Sequence, residues 1–217
     1  GADLRLIGRD FGYRGEGRQW SYWNADVRRS GMAYPSLRGS RQLANASAAL
    51  AALDSLRARV PVAMQDIRNG LAQIDLAARF QVLPGRPAVV LDVAHNPQAA
   101  RVLAENLGAM GVFQNTYAVF GMLRDKDIPG VCRALSGVIS EWFLSDLSVP
   151  RGASAVVLAH ALMDSGVTCR VQNYASPRRA YSAARKQANE NDRIVVFGSF
   201  HTVADVAAGM GIVPGAD

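Results

Sequence analysis

The chain has 217 residues, of which 49% are hydrophobic and 19% are charged. This composition is typical of a globular protein and excludes a disordered or low-complexity chain. Its two cysteines, Cys132 and Cys169, lie far apart in the sequence, which disfavours a disulfide scaffold and indicates a reducing compartment. No apolar run approaches the about 18 residues of a membrane span, and no signal-peptide pattern opens the chain. We therefore expect a soluble, intracellular protein with no membrane partner.

The net charge of +6 is concentrated near the beginning of the chain, because residues 1–60 account for +5 of it. The arginines of this region are dispersed rather than forming a run. Such a surface is compatible with nucleic-acid binding, but anionic small molecules or plain solubility explain it equally well. Of these interpretations nucleic-acid binding is the least favoured, and we expect no nucleic-acid partner.

Residues 1–78 predict an incomplete domain. Residues 1–40 are rich in Gly, Arg and aromatic residues, and the alternation at Trp20-Ser21-Tyr22 predicts short antiparallel strands. A helix is predicted over 42–59, ending before Pro61, and a second over 62–74. These elements would form only a marginal core, so we expect the aromatic residues to be exposed when this piece stands by itself.

The remainder of the chain, residues 79–217, predicts a complete α/β domain. Short apolar runs alternate there with amphipathic segments, which is typical of a Rossmann-like, mostly parallel sheet flanked by helices. The predicted strands are 88–91, 117–120, 138–144, 167–171 and 194–197. The predicted helices are 97–110, 128–135, 153–163, 176–189 and 202–209.

Polar residues follow three of the predicted strands, where an open parallel sheet binds its ligands. Asp92 and His95 follow the first strand, and Asn96-Pro97 is a favourable helix start that attracts anions. Arg124, Asp125 and Lys126 follow the strand predicted at 117–120, and Ser199 follows the last strand. The sequence therefore predicts an anion site on one edge of the sheet. Structural roles remain open alternatives: Asp92 as a loop carboxylate, His95 as a buried structural histidine and Ser199 as a helix cap.

Common nucleotide motifs are absent from the sequence. No G-x-G-x-x-G follows a strand, and no phosphate-binding G-x-x-x-x-G-K-[ST] occurs. His160 falls inside a predicted helix and His201 stands at the start of another, and structural roles are favoured for both. Spacing and periodicity by themselves thus lead to an α/β domain with an anion-binding edge.

Several segments resemble the folylpolyglutamate synthase/dihydrofolate synthase family of the Mur ligase superfamily, most closely its bifunctional bacterial members. The resemblance covers nearly the whole chain, and its most specific part is the block from Leu91 to Pro97, Leu-Asp-Val-Ala-His-Asn-Pro. The other matching segments are Ala78-Arg79-Phe80-Gln81, the Asn45-Ala46 pair, Gly121-Met122-Leu123-Arg124-Asp125-Lys126-Asp127-Ile128, Pro150-Arg151-Gly152 and Phe197-Gly198-Ser199-Phe200-His201-Thr202-Val203.

The resemblance implies an ATP-dependent ligase that joins L-glutamate to dihydropteroate and to tetrahydrofolate through an acyl phosphate. It implies that residues 79–217 are the C-terminal glutamate ligase domain and that residues 1–78 are the end of the central ATP-binding domain. The P-loop, the Mg²⁺ ligands and a carbamylated lysine would lie in a part outside this chain. We therefore expect no metal ligand here, no activity of the chain by itself, and a monomeric parent enzyme.

The resemblance also implies roles for individual residues. Asn45 would contact the adenine, Arg79 the phosphates of ATP, and Asp92 the nucleotide, while His95 and Ser199 would serve catalysis on the glutamate side. These residue types suit the roles, since Arg binds phosphate bidentately and a carboxylate accepts from hydroxyl or amine donors. Two weaker candidates for the glutamate or acyl-phosphate side are Lys126 and Arg151.

One departure from the family pattern concerns the residues before Arg79. The family has Pro-Gly there, whereas this chain has Ala77-Ala78, and glycine permits turns that alanine disfavours. Two other functions remain as alternatives. One is a ligase of the same fold that adds amino acids to cell-wall precursors, and the other is a non-catalytic nucleotide- or nucleic-acid-binding module.

Overall fold

A computed structural model of the chain describes residues 4–74 and 76–212, and the chain divides into two compact units, residues 1–76 and 77–217. Each unit has a hydrophobic core of its own. None of the helices in the described residues is long and apolar enough to cross a membrane.

The first unit is a three-stranded antiparallel sheet with two helices. The strands β1 (Phe11–Glu16), β2 (Gln19–Asn24) and β3 (Arg28–Ala33) pair in chain order, as the alternation predicted. The helices are α1 (Gln42–Ser55) and α2 (Met64–Gln73). The predicted first helix is thus four residues shorter, because residues 56–60 continue in hydrogen-bonded turns ahead of Pro61.

The expectation of exposed aromatic residues is wrong for Trp20 and Tyr22, whose side chains are fully buried. Both lie on one face of β2, because alternate residues of a strand share a face. They pack with Leu50 of α1 and Ile67 of α2 in one core cluster. The two helices therefore supply the cover that sequence reasoning sought outside the chain.

The second unit confirms the predicted α/β fold. Its sheet has the order β4-β5-β9-β6-β7-β8, in which only β4 is antiparallel. The strands are β4 (Gln81–Leu83), β5 (Ala88–Leu91), β6 (Thr116–Phe120), β7 (Glu141–Ser145), β8 (Arg170–Tyr174) and β9 (Arg193–Phe197). The helices are α3 (Pro97–Ala109), α4 (Ile128–Leu135), α5 (Ala155–Asp164), α6 (Pro177–Gln187) and α7 (Phe200–Gly209).

Helices cover both faces of this sheet, which explains its nearly continuous apolar strands. Buried residues of α3, α4 and α5 pack in the core of one face, and those of α6 and α7 in the core of the other. The strands β7 and β8 begin three residues later than the predicted strands 138–144 and 167–171. The first apolar residues of those runs close the preceding helices instead, as shown by the bonds from Ile139 N to Leu135 O and from Val167 N to Leu162 O.

Candidate functional site

Three neighbouring parallel strands bring Asp92, His95 and Ser199 to one edge of the sheet. β9 lies between β5 and β6, with Leu91 beside Val196 and Phe120 beside Phe197. The segments that follow these strands therefore emerge side by side. Asp92 continues β5, and its N–H donates to the carbonyl oxygen of Val196 at 3.0 Å.

The Asp92 carboxylate is half-buried and bonded to the main chain on both oxygens. Oδ1 accepts the N–H of Ala94 at 2.7 Å, and Oδ2 accepts the N–H of Phe80 at 2.9 Å. Burial raises the pKa of this carboxyl above its usual value, while the two N–H bonds and the charges of Arg79 and His95 oppose that rise. Each oxygen keeps a second lone pair that a ligand could use.

Arg79 is exposed in a turn of uncommon backbone geometry. Its neighbours Ala78 and Phe80 have φ of +61° and +48°, in the left-handed region. That region costs an L-residue about 1–2 kcal/mol, and glycine avoids the cost. Ala78 thus occupies the position where the resembling family has Gly, and the turn forms regardless. Among the described residues no side chain hydrogen-bonds or ion-pairs with the Arg79 guanidinium, so it is available to an external anion.

The ring of His95 is held in one orientation by the main chain. Its Nδ1 lies 2.8 Å from the carbonyl oxygen of Val93. A carbonyl only accepts, so Nδ1 carries the proton, and Nε2 of the neutral ring presents a lone pair. The next residue, Asn96, caps α3 as predicted, accepting the N–H of Ala99 at 2.8 Å.

Ser199 is buried and caps α7. Its hydroxyl oxygen accepts the N–H of Thr202 at 3.0 Å. The Thr202 hydroxyl in turn donates to the carbonyl oxygen of Gly121 at 2.6 Å, which leaves Thr202 Oγ1 to accept the Ser199 hydroxyl at 2.8 Å. These are the contacts of a helix cap, which is the structural role that the sequence analysis left open for Ser199. A catalytic role of Ser199 stays a prediction.

Sequence reasoning did not single out Thr202 and Gly198 as individual site residues. Gly198 has φ of +109°, and a Cβ there would lie 2.5 Å from the Gly121 carbonyl oxygen. The hydroxyl three residues after Ser199 and the glycine directly before it are the sequence signals that could have identified them. Both residues hold the start of α7 against the end of β6.

The remaining candidates lie elsewhere. Asn45 is exposed on α1 in the first unit, three residues after the helix begins, and its amide donates to Gln42 Oε1 at 3.3 Å. Its contact with adenine stays a prediction. Arg151 is exposed and pairs with Asp125 at 3.0 Å. His160 and His201 are exposed on their helices.

A metal site finds no support among the described residues, where no group of three or more His, Cys, Asp or Glu side chains stands close enough to hold an ion. The chemistry of the sheet edge is that of one exposed guanidinium, one half-buried carboxylate and one oriented imidazole.

Comparison with known proteins identifies the family to which this chain belongs. Residues 78–200 match the family model described as "Mur ligase, glutamate ligase domain". A dihydrofolate synthase/folylpolyglutamate synthase of Escherichia coli K12 is 35% identical over 206 residues, which are 95% of this chain and 46% of that protein. The chain spans about half the length of the curated relatives it matches.

Solved structures give the same result. E. coli FolC in complex with DHPP and ADP has a TM-score of 0.83 at 34% identity, covering 94% of this chain and 47% of that one. A bifunctional folylpolyglutamate synthase/dihydrofolate synthase with Mn, AMPPNP and L-glutamate bound has a TM-score of 0.82 at 36% identity, covering 97% and 48%.

Proposed function

The chain belongs to the Mur ligase family, through its glutamate ligase domain, and on that premise we propose that it serves ATP-dependent ligation of L-glutamate to dihydropteroate and tetrahydrofolate. The observation that carries the proposal is the shared edge of β5, β9 and β6, where Asp92 and His95 stand beside the start of α3. The relatives named for both activities, and the structures with ADP, AMPPNP and L-glutamate bound, support it.

The proposed reaction proceeds through an acyl phosphate. ATP phosphorylates the carboxylate of the pterin substrate, and the amine of L-glutamate attacks the acyl carbon and displaces phosphate. The amine must lose a proton to form the amide. His95 suits that task because its Nε2 presents a lone pair while Nδ1–H is fixed on Val93. Ser199, at the start of α7, is the second residue proposed for the glutamate side.

Nucleotide binding is proposed for Arg79, Asp92 and Asn45. The exposed guanidinium of Arg79 can bind phosphate oxygens bidentately, and Asp92 retains lone pairs for a hydroxyl or amine donor. Asn45 would contact the adenine. Accordingly, residues 1–78 are proposed as the end of the central ATP-binding domain and residues 79–217 as the C-terminal domain.

Further parts of the proposal concern the rest of the enzyme. The divalent ion, Mg²⁺, would be bound by residues outside this chain, as the resemblance to the family implies. We propose that the chain is inactive by itself and that the parent enzyme is a cytoplasmic monomer without a nucleic-acid partner.

The test is ligase activity of the complete gene product that carries this chain. Incorporation of labelled L-glutamate is measured with ATP, using dihydropteroate and tetrahydrofolate in separate assays, for the wild type, His95→Ala and His160→Ala. Loss of a general base costs about 100-fold or more in rate. The His160→Ala control removes an exposed imidazole on α5 and should match the wild type.

The outcomes separate the parts of the proposal. Incorporation with both acceptors, reduced at least about 100-fold in His95→Ala only, supports the function and the role of His95. Equal activity in both variants would contradict the role of His95 and keep the function. No incorporation with either acceptor would overturn the function and favour a ligase of cell-wall precursors.

A further inference from the structure

The turn that carries Arg79 is anchored on both faces of the sheet. Ala78 is buried in the core that α6 and α7 cover, and Phe80 is buried in the core that α3, α4 and α5 cover. Arg79, between them, is exposed. In the described part of the chain, Ala78 and Phe80 are the only non-glycine residues with positive φ. The turn thus holds a conformation that neither residue favours by itself.

Three hydrogen bonds hold the turn, and in one of them a side chain twelve residues away, that of Asp92, is the acceptor. The N–H of Phe80 donates to Asp92 Oδ2 at 2.9 Å. The N–H of Val93 donates to the carbonyl oxygen of Ala78 at 3.0 Å, and the N–H of Ala78 donates to Gln81 Oε1 at 3.1 Å. The segment that follows β5 therefore fixes the main chain on both sides of Arg79.

We propose that Asp92 is a positioning residue for Arg79: by accepting the Phe80 N–H it maintains the left-handed turn that presents the guanidinium to the phosphates of the nucleotide. This role goes beyond the nucleotide contact predicted for Asp92, and its ligand rests on the proposed function. Arg79 is exposed, and no described side chain hydrogen-bonds or ion-pairs with its guanidinium, although its charge acts on the Asp92 carboxyl. The turn, rather than a direct bond to a side chain, therefore sets its place.

Two substitutions separate positioning from direct contact. Asp92→Asn keeps the size of the side chain, but its NH₂ group cannot accept, so one of the two main-chain bonds is lost. Ala78→Gly removes the cost of positive φ at Ala78, so the turn depends less on Asp92. If Asp92 acts through the turn, Ala78→Gly will partly rescue Asp92→Asn. If Asp92 only contacts the nucleotide, Ala78→Gly will not restore what Asp92→Asn has lost.

The first measurement is amide hydrogen exchange of the 217-residue chain without nucleotide. We expect the Phe80 amide to exchange about tenfold faster in Asp92→Asn, while the amides of β5 and β9 keep their protection. Asp192→Asn is the matched control, because Asp192 is a buried carboxylate that accepts the Asn189 N–H at 2.8 Å. Asp92→Ala removes both acceptor oxygens, so unchanged Phe80 exchange in Asp92→Asn and in Asp92→Ala would overturn the proposal.

The second measurement is the KM for ATP of the complete gene product. One hydrogen bond corresponds to about a fivefold change, so we expect Asp92→Asn to raise this KM about fivefold. The double variant Ala78→Gly/Asp92→Asn should recover at least half of this increase, measured as the logarithm of KM and relative to the single variant Ala78→Gly. A raised KM without rescue would overturn the positioning role and leave direct contact. If the wild type shows no ligase activity, the proposed function fails. The positioning role is then tested by the Kd for ADP, measured by calorimetry for Asp92→Asn, for Ala78→Gly and for the double variant.

Discussion

The hydroxyl of Thr202 donates a 2.6 Å hydrogen bond to the carbonyl oxygen of Gly121, joining the first turn of α7 to the end of β6. Thr202→Val retains the shape of the side chain but leaves that buried carbonyl without its donor. An unsatisfied buried group costs about 1–3 kcal/mol, so we expect the free energy of unfolding of the second unit to fall by that amount. Urea unfolding followed by amide exchange of β5, β6 and β9 measures it.

Ser136→Ala is the matched control for that experiment. Its hydroxyl donates to the Arg133 carbonyl oxygen at 3.1 Å on the exposed end of α4, so water replaces the bond. We expect a change within about 0.5 kcal/mol. If Thr202→Val were no more destabilising than this control, the Thr202 to Gly121 bond would not stabilise the edge of the sheet.

Gly198 is predicted to tolerate no side chain. A Cβ there would lie 2.5 Å from the Gly121 carbonyl oxygen and 2.8 Å from the Phe120 ring, and φ is +109°. Overpacking and positive φ together should lower the free energy of unfolding by about 2–5 kcal/mol in Gly198→Ala. Thermal unfolding of Gly198→Ala beside Gly137→Ala, whose added methyl meets no atom within 4 Å, checks this. Equal melting temperatures would contradict it.

Sequence patterns predicted the second unit well because four of its parallel strands, β5, β6, β7 and β9, are almost completely buried on both faces. The runs at Ala88–Leu91 and Arg193–Phe197 are almost wholly apolar, and the residues after them reach the same edge of the sheet. The three-residue strand β4 carried no such signal. Its side chains are only half-buried, and its strand partner, β5, fixes it.

The finer geometry of the site depends on contacts between residues far apart in sequence. The φ of Ala78 is positive although alanine disfavours it, because Val93 and the two cores hold the turn. The Thr202 to Gly121 bond spans 81 residues, so local pattern could not predict it. In the same way, the burial of Trp20 follows from Leu50 on α1, which lies thirty residues later.

The first unit should be sensitive to acid through Asp54. Arg29 donates to both of its carboxylate oxygens, at 2.8 and 2.5 Å, and the two side chains are only 14% and 9% exposed. The Arg29 guanidinium lowers the pKa of the Asp54 carboxyl below its usual value of 3.8, although burial opposes this. A lowered pKa in the folded state contributes stability above pH 3.8 that is lost as the pH falls through the folded pKa.

Asp54→Asn tests that contribution. Breaking a buried pair costs about 3–5 kcal/mol, so we expect the first unit to lose about that much stability at pH 7. Below pH 3.8 the difference from the wild type should shrink. Glu16→Gln is the control, because its pair with Arg14 is exposed and worth less than about 1 kcal/mol. A pH-independent difference for Asp54→Asn would show that hydrogen-bond geometry, rather than charge, is what Asp54 supplies.

The imidazole of His95 should carry its proton on Nδ1 whenever the ring is neutral. The bond of 2.8 Å to the Val93 carbonyl oxygen requires a donor at that nitrogen, so Nε2 is the basic atom that faces a substrate amine in the proposed reaction. Long-range proton–nitrogen NMR of the 217-residue chain at alkaline pH distinguishes the two tautomers. His160 and His201, both exposed, serve as internal references, because no hydrogen bond to another described residue selects a tautomer for them. We expect a single Nδ1–H form for His95 and tautomer mixtures for the references. An Nε2–H form of His95 would place the lone pair on the nitrogen turned to the main chain, and a general base at this position would then be excluded.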